Sequence, residues 1–150
     1  FHINVIHSSE HYYGTKIKQS PKEIISDIKN FIKLRGIPYT PLFFLESRYL
    51  RLINNFLKTG KTPLPCKALT SSCFINAQGD VFPCSLFNKK LGNLRDFDYD
   101  LEKIWNLKKT RETLNIIKNK QCTYCWTPCE AYQTILGNLL NKELYFPHSK

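Results

Sequence analysis

The sequence contains no methionine and begins at Phe1, so it reads as a fragment or an excised domain of a longer chain. No stretch approaches the roughly 18 apolar residues that a membrane-spanning helix needs, which argues against a membrane partner. Phe1 to His7 has no basic start and no long apolar run, so it does not read as a secretory signal. Runs of five or more like charges are missing, and residues 1–60 hold no cysteine. The net charge of +10, from 22 Lys and Arg against 12 Asp and Glu, is scattered over the whole length. A nucleic-acid footprint gathers such charge on one face, so solvated faces account for it better than a polyanion partner does.

What is present suits one ordinary domain. A chain of 150 residues, 42% hydrophobic and 13% aromatic, can bury a core. Six cysteines with no secretion signal point to a reducing, cytoplasmic setting, where thiols serve metals or catalysis rather than disulfides.

Residues 1–60 read as alternating strand and helix. Phe1 to Ile6 alternates like a strand and runs into the polar loop His7–Gly14. Ser20, Pro21 and Glu23 form a helix-start signature, Ile24, Ile28, Phe31 and Ile32 share one helical face, and Gly36 is the stop. Tyr39 to Leu45 is a short apolar run expected to form a buried strand. A second helix is expected after Ser47, with Leu50, Ile53, Phe56 and Leu57 inward and Gly60 ending it. That rhythm is α/β, the pattern of a β/α barrel or a doubly wound sheet. Two such units cannot close a barrel, so this part reads as the end of a larger one.

Beyond the turn-rich linker Thr59–Pro65 the pattern becomes α+β. A hairpin is expected, with Cys73 to Asn76 as one arm, a turn at Ala77 to Asp80, and Val81 to Cys84 as the other. Asp100 should cap a short helix carrying Leu101, Ile104 and Trp105, and a second helix should run from about Lys108 to Asn119. The closing helix should bury Tyr132, Ile135, Leu136, Leu139 and Leu140. The expected domains are therefore residues 1–60 and residues 61–150.

The cysteines carry the chemistry. Cys122-x2-Cys125 places two thiols at the ends of a tight turn, and Cys129 follows at a helix start, where a thiolate is favoured. Cys66 precedes the hairpin and Cys84 ends it, so folding the hairpin brings both to one end. Cys73 suits a small buried side chain or an extra ligand. Four-cysteine sites serve both zinc and iron–sulfur clusters, and spacing alone does not choose between them.

Cys66 to Cys129 resembles the SPASM/twitch auxiliary-cluster region at the C-terminus of radical S-adenosylmethionine (SAM) enzymes. In that family a cysteine is followed by nine to fifteen residues, a glycine, four residues and a second cysteine. Here Cys66 is followed by Gly79 and Cys84 at that spacing, with Phe74-Ile-Asn-Ala-Gln-Gly-Asp-Val-Phe-Pro-Cys84 resembling the family hairpin. Leu91-Gly-Asn-Leu94, Leu101-Glu-Lys-Ile-Trp105 and the Cys-x2-Cys knuckle are similar too. The resemblance implies one auxiliary [4Fe–4S] cluster held by Cys66 and Cys84, then Cys122 and Cys125, with Cys129 competing for a place. The longer Cys-x2-Cys-x5-Cys-x3-Cys array of the double-cluster form is not present. It also implies that residues 1–60 are the last units of a radical SAM partial barrel. SAM and a second [4Fe–4S] cluster would belong to the parent enzyme, which would act on a small molecule or peptide. The family's SAM-cluster motif, Cys-x3-Cys-x2-Cys, is absent here.

His7-Ser-Ser-Glu-His11 matches a zinc-peptidase pattern, but it opens a loop after a strand instead of lying on a helix. In a barrel, residues just past a strand's C-terminal end face the active site. His7, Ser9, Glu10 and Tyr12 are therefore expected to line the SAM or substrate pocket of the parent. Tyr124 and Trp126 are core residues or shields of a cluster. The alternative to the radical SAM reading is a four-cysteine zinc module that contacts nucleic acid through its basic charge.

Overall fold

The structure, a computed structural model, describes residues 21–139. Five α-helices, a short 3-10 turn and a three-stranded antiparallel sheet make an α+β arrangement among these residues. The expected strand at Phe1–Ile6, the loop holding His7, Ser9, Glu10, His11 and Tyr12, and Leu140 lie outside the described residues.

Helix α1 (Pro21–Arg35) ends at Gly36, whose φ of 74° is the left-handed conformation that suits glycine. The expected strand at Tyr39–Leu45 is instead the beginning of helix α2 (Pro41–Thr59). Thr40 caps that helix by accepting a hydrogen bond from the Phe43 N–H at 3.1 Å, and Pro41 fills its first turn. The apolar run is not buried: Leu42 is 74% and Phe44 46% exposed. Helix α2 ends at Gly60, as its sequence suggests. Residues 21–60 thus show no strand, and the β/α barrel expectation finds no support among the described residues.

The hairpin folds as expected. Strand β1 (Phe74–Ile75) pairs antiparallel with β2 (Asp80–Phe82), placing Phe74 opposite Phe82 and Ile75 opposite Val81. Asn76 closes the turn by accepting from the N–H groups of Gln78 at 3.0 Å and Asp80 at 2.9 Å. A third strand, β3 (Gly92–Asn93), pairs with the far edge of β2. It was not foreseen, because two residues carry no periodic signal. The chain continues through the 3-10 turn Leu94–Phe97, α3 (Leu101–Trp105), α4 (Lys108–Lys118) and α5 (Pro128–Gly137). Asp100 caps α3 as expected, accepting from the N–H groups of Glu102 and Lys103.

Two apolar cores result. One joins Leu69, Val81, Leu86, Leu91, Ile104 and Ile117 with Cys84 and Cys125. The other packs Ile28, Tyr49, Leu50, Ile53, Leu64, Trp126 and Ile135, so α1 and α2 rest on α5. Each of these large apolar side chains stabilises the fold by about 1.5–3 kcal/mol when fully buried. Leu136 and Leu139, expected inside, are 50% and 42% exposed.

Candidate metal centre

Cysteines that are distant in sequence meet in the first core. Cys84 and Cys125 are buried within it, and Cys66, Cys73 and Cys122 pack against it half-buried. The hairpin delivers Cys84 from the end of β2. The linker after α2 delivers Cys66, and the loop before α5 delivers Cys122 and Cys125. No disulfide joins any of them.

Backbone N–H groups point at the sulfurs. Ala68 donates to Cys66 Sγ at 3.5 Å, and Phe87 donates to Cys84 Sγ at 3.3 Å. The backbone of Thr127 likewise favours the Cys125 thiolate. Each donor lies two or three residues after its cysteine, a local arrangement that stabilises sulfur bearing negative charge. Burial acts the other way. It pushes the Cys84 thiol up to about 12 and raises Cys66 and Cys125 as well. Such thiols stay protonated until a positive centre replaces the proton.

The remaining cysteines are placed differently. Cys122 and Cys66 line a cavity of about 190 Å³ together with Leu64, Ile117, Lys120 and Tyr124. Cys73 lies just before β1 at the margin of the core. Cys129 is exposed in the first turn of α5, with its sulfur beside the hydroxyls of Thr127 at 3.2 Å and Ser85 at 3.6 Å. Trp126 turns away from the sulfurs into the helical core, where its indole N–H donates to the Tyr49 carbonyl at 3.1 Å. Of the two aromatics of the knuckle, only Tyr124 lines the cavity beside the thiols.

Sequence reasoning passed over three polar residues. Thr62 holds the knuckle, its hydroxyl accepting from the Cys125 N–H and donating to the Cys125 carbonyl, each at 3.2 Å. Thr134 accepts from the Lys67 N–H at 3.2 Å and lies beside the Cys66 thiol. Glu130 is only 7% exposed, and its carboxyl is pushed up to about 7 by burial. An acidic residue in a helix's first turn ordinarily faces water and the helix dipole, so only the folded structure reveals its position.

Thiols distant in sequence thus gather in one core, with backbone N–H groups directed at two of the sulfurs, on a small α+β frame. The family model of SPASM, an iron–sulfur cluster-binding domain, matches residues 66–129. That stretch is similar to a SPASM domain, and the matched span runs from Cys66 to Cys129. No curated protein and no solved structure matches the chain.

Proposed function

We propose that residues 61–150 hold one auxiliary [4Fe–4S] cluster in the C-terminal part of a radical SAM enzyme. The observation that carries this reading is the gathering of Cys66, Cys84 and Cys125 in one buried core inside the SPASM match. Backbone N–H groups donate toward these thiols, which favours sulfur that carries negative charge. The donor set therefore fits a cationic iron centre.

Zinc fits less well. Among the described residues no group of three or more His, Cys, Asp or Glu side chains is arranged to hold a single metal ion. A tetrahedral zinc, bound at about 2.3 Å, draws four sulfurs tightly together. A cluster brings its own iron and sulfide between the thiolates and spans a wider ring of cysteines.

When bound, such a cluster supplies one-electron chemistry or a binding place for substrate. The chain's own residues bury the thiols, orient them through backbone N–H groups and leave the Cys66–Cys122 edge open to a cavity. SAM cleavage in this reading requires a Cys-x3-Cys-x2-Cys set, which this sequence lacks. The parent would act on a small molecule or peptide, with His7, Ser9, Glu10 and Tyr12 near SAM or that substrate.

Anaerobic reconstitution of the chain with ferrous iron and sulfide tests the proposal. A brown protein with broad visible absorption is expected, and Cys66→Ala or Cys84→Ala should each remove most of the colour and iron. A colourless protein that retains one zinc would overturn the reading.

A further inference from the structure

Helices α2 and α5 leave an apolar groove open between the start of α2 and the end of α5. Tyr39, Leu42, Phe44 and Leu45 form one wall, Leu136 and Leu139 the other, around about 680 Å³ of space. Five of these six side chains are exposed, and Leu45 joins the groove to the helical core beneath it. Among the described residues no charged side chain lines it. A contiguous apolar surface of this kind marks a place where another segment or molecule docks.

Both walls are held in place. Thr40 fixes the first turn of α2, its hydroxyl accepting from the Phe43 N–H at 3.1 Å and its carbonyl from the Phe44 N–H at 2.8 Å. The Tyr39 ring meets the Phe43 ring edge-on, with centres 5.5 Å apart. Across the groove, Asn138 Nδ2 donates to the Pro65 carbonyl at 3.0 Å and to the Thr134 carbonyl at 2.7 Å. The Leu139 N–H donates to the Leu136 carbonyl at 3.2 Å. The described residues therefore end at a pinned point, and that point is in the groove wall.

The sequence after Leu139 is suited to what it meets there. Leu140 follows directly, and Leu144-Tyr-Phe-Pro147 is an apolar cluster five to eight residues beyond Leu139. Extended chain covers at most about 3.6 Å per residue, so Phe146 can reach about 25 Å from Leu139, far enough to turn back over the groove. Residues 1–20 are worse placed. They join the described residues at Pro21, whereas the groove begins beyond the far end of α1, a 15-residue helix. That helix separates the two by about 22 Å.

We propose that residues 140–150 dock in this groove, with the cluster Leu144–Pro147 covering Leu42, Phe44 and Leu139. The segment then straps α5 to α2, and it gives Leu136 and Leu139 the apolar partner that the rest of the helical core does not supply. The strap is independent of the cluster-binding reading.

The test compares the full chain with a chain ending at Leu139, each with and without Leu42→Ser. Melting by circular dichroism, fluorescence of the apolar dye anilinonaphthalene sulfonate and mass by light scattering are the readouts. Loss of residues 140–150 should raise the dye fluorescence several-fold and lower the melting temperature. Leu42→Ser should lower the melting temperature of the full chain by several degrees and leave that of the shortened chain nearly unchanged, because an exposed position tolerates substitution. Should the shortened chain fail to fold, the full chain carrying Tyr145→Ser and Phe146→Ser takes its place, with the same outcome expected. The proposal is overturned if Leu42→Ser shifts both chains equally or neither, or if the shortened, folded chain binds no more dye than the full one. It is overturned in favour of a second copy if the full chain is a dimer whose dilution, rather than its shortening, raises the dye signal. It is overturned in favour of residues 1–20 if a chain starting at Pro21 gains dye fluorescence while the chain ending at Leu139 does not.

Discussion

Asp80 shows how one side chain ties the sheet to its surroundings. It begins β2, pairs with Lys90 Nζ at 2.6 Å and accepts from Asn93 Nδ2 at 2.7 Å. Lys90 first, and then Asn93, hold its carboxyl below the ordinary value of 3.8. Folding therefore favours the charged form. Its stabilising effect is fully present above pH 3.8 and fades as the pH falls through the lower value of the folded state. Asp80→Asn removes the titrating group while keeping its size. The melting temperature of the variant should fall less steeply in acid than that of wild type. The two profiles should converge at the lowest pH, where wild type has also lost the charge. Parallel profiles across that range would show that Lys90 and Asn93 do not stabilise the folded state through this carboxylate.

The hairpin is the element that brings Cys84 into position, and Gly79 is its most demanding residue. Its φ is +83°, and a Cβ there would meet Asn93 Oδ1 at 3.3 Å. That oxygen already accepts from the Arg95 N–H at 2.9 Å, so it is not free to retreat. Gly79→Ala should therefore destabilise the chain by about 1–2 kcal/mol, the cost of left-handed backbone for an L-residue. Denaturant midpoints measure this, and an unchanged midpoint would mean that the turn relaxes without cost. The hairpin was legible in the sequence because its signals are local: alternating apolar residues on either side of Asn76-Ala-Gln-Gly79. The helix stops at Gly36 and Gly60 and the Asp100 cap were legible for the same reason. Tyr39–Leu45 was not, since a short apolar run fits strand and helix alike. There Thr40 and Pro41 start a helix whose first apolar side chains remain exposed.

At the scale of the molecule, the fact that matters most is that Cys125 and Trp126 are neighbours in sequence and members of different cores. The candidate ligands among the cysteines could be picked out by type and spacing, but their grouping could not. The inward turn of Glu130, the outward position of Cys129 and the opposed directions of Cys125 and Trp126 depend on how α5 packs against α2 and the linker. Thr62 fastens the Cys125 backbone, while Trp126 is 1% exposed, stacks on Tyr49 with ring centres 6.2 Å apart and bonds to its carbonyl. The knuckle thus links the thiol core to the helical core, and a cavity opened in one should be felt in the other. Trp126→Ala should destabilise the fold by about 3–5 kcal/mol, the usual cost of truncating a buried large aromatic. Trp126→Phe should cost less, because it keeps much of the ring. Both variants should also release iron to a chelator faster than wild type at temperatures where circular dichroism shows them folded, with the alanine variant the faster. If the melting temperature falls while the release rate of the folded protein stays at the wild-type value, the two cores are mechanically independent. The position of Cys125 would then be set by Thr62 and the loop alone.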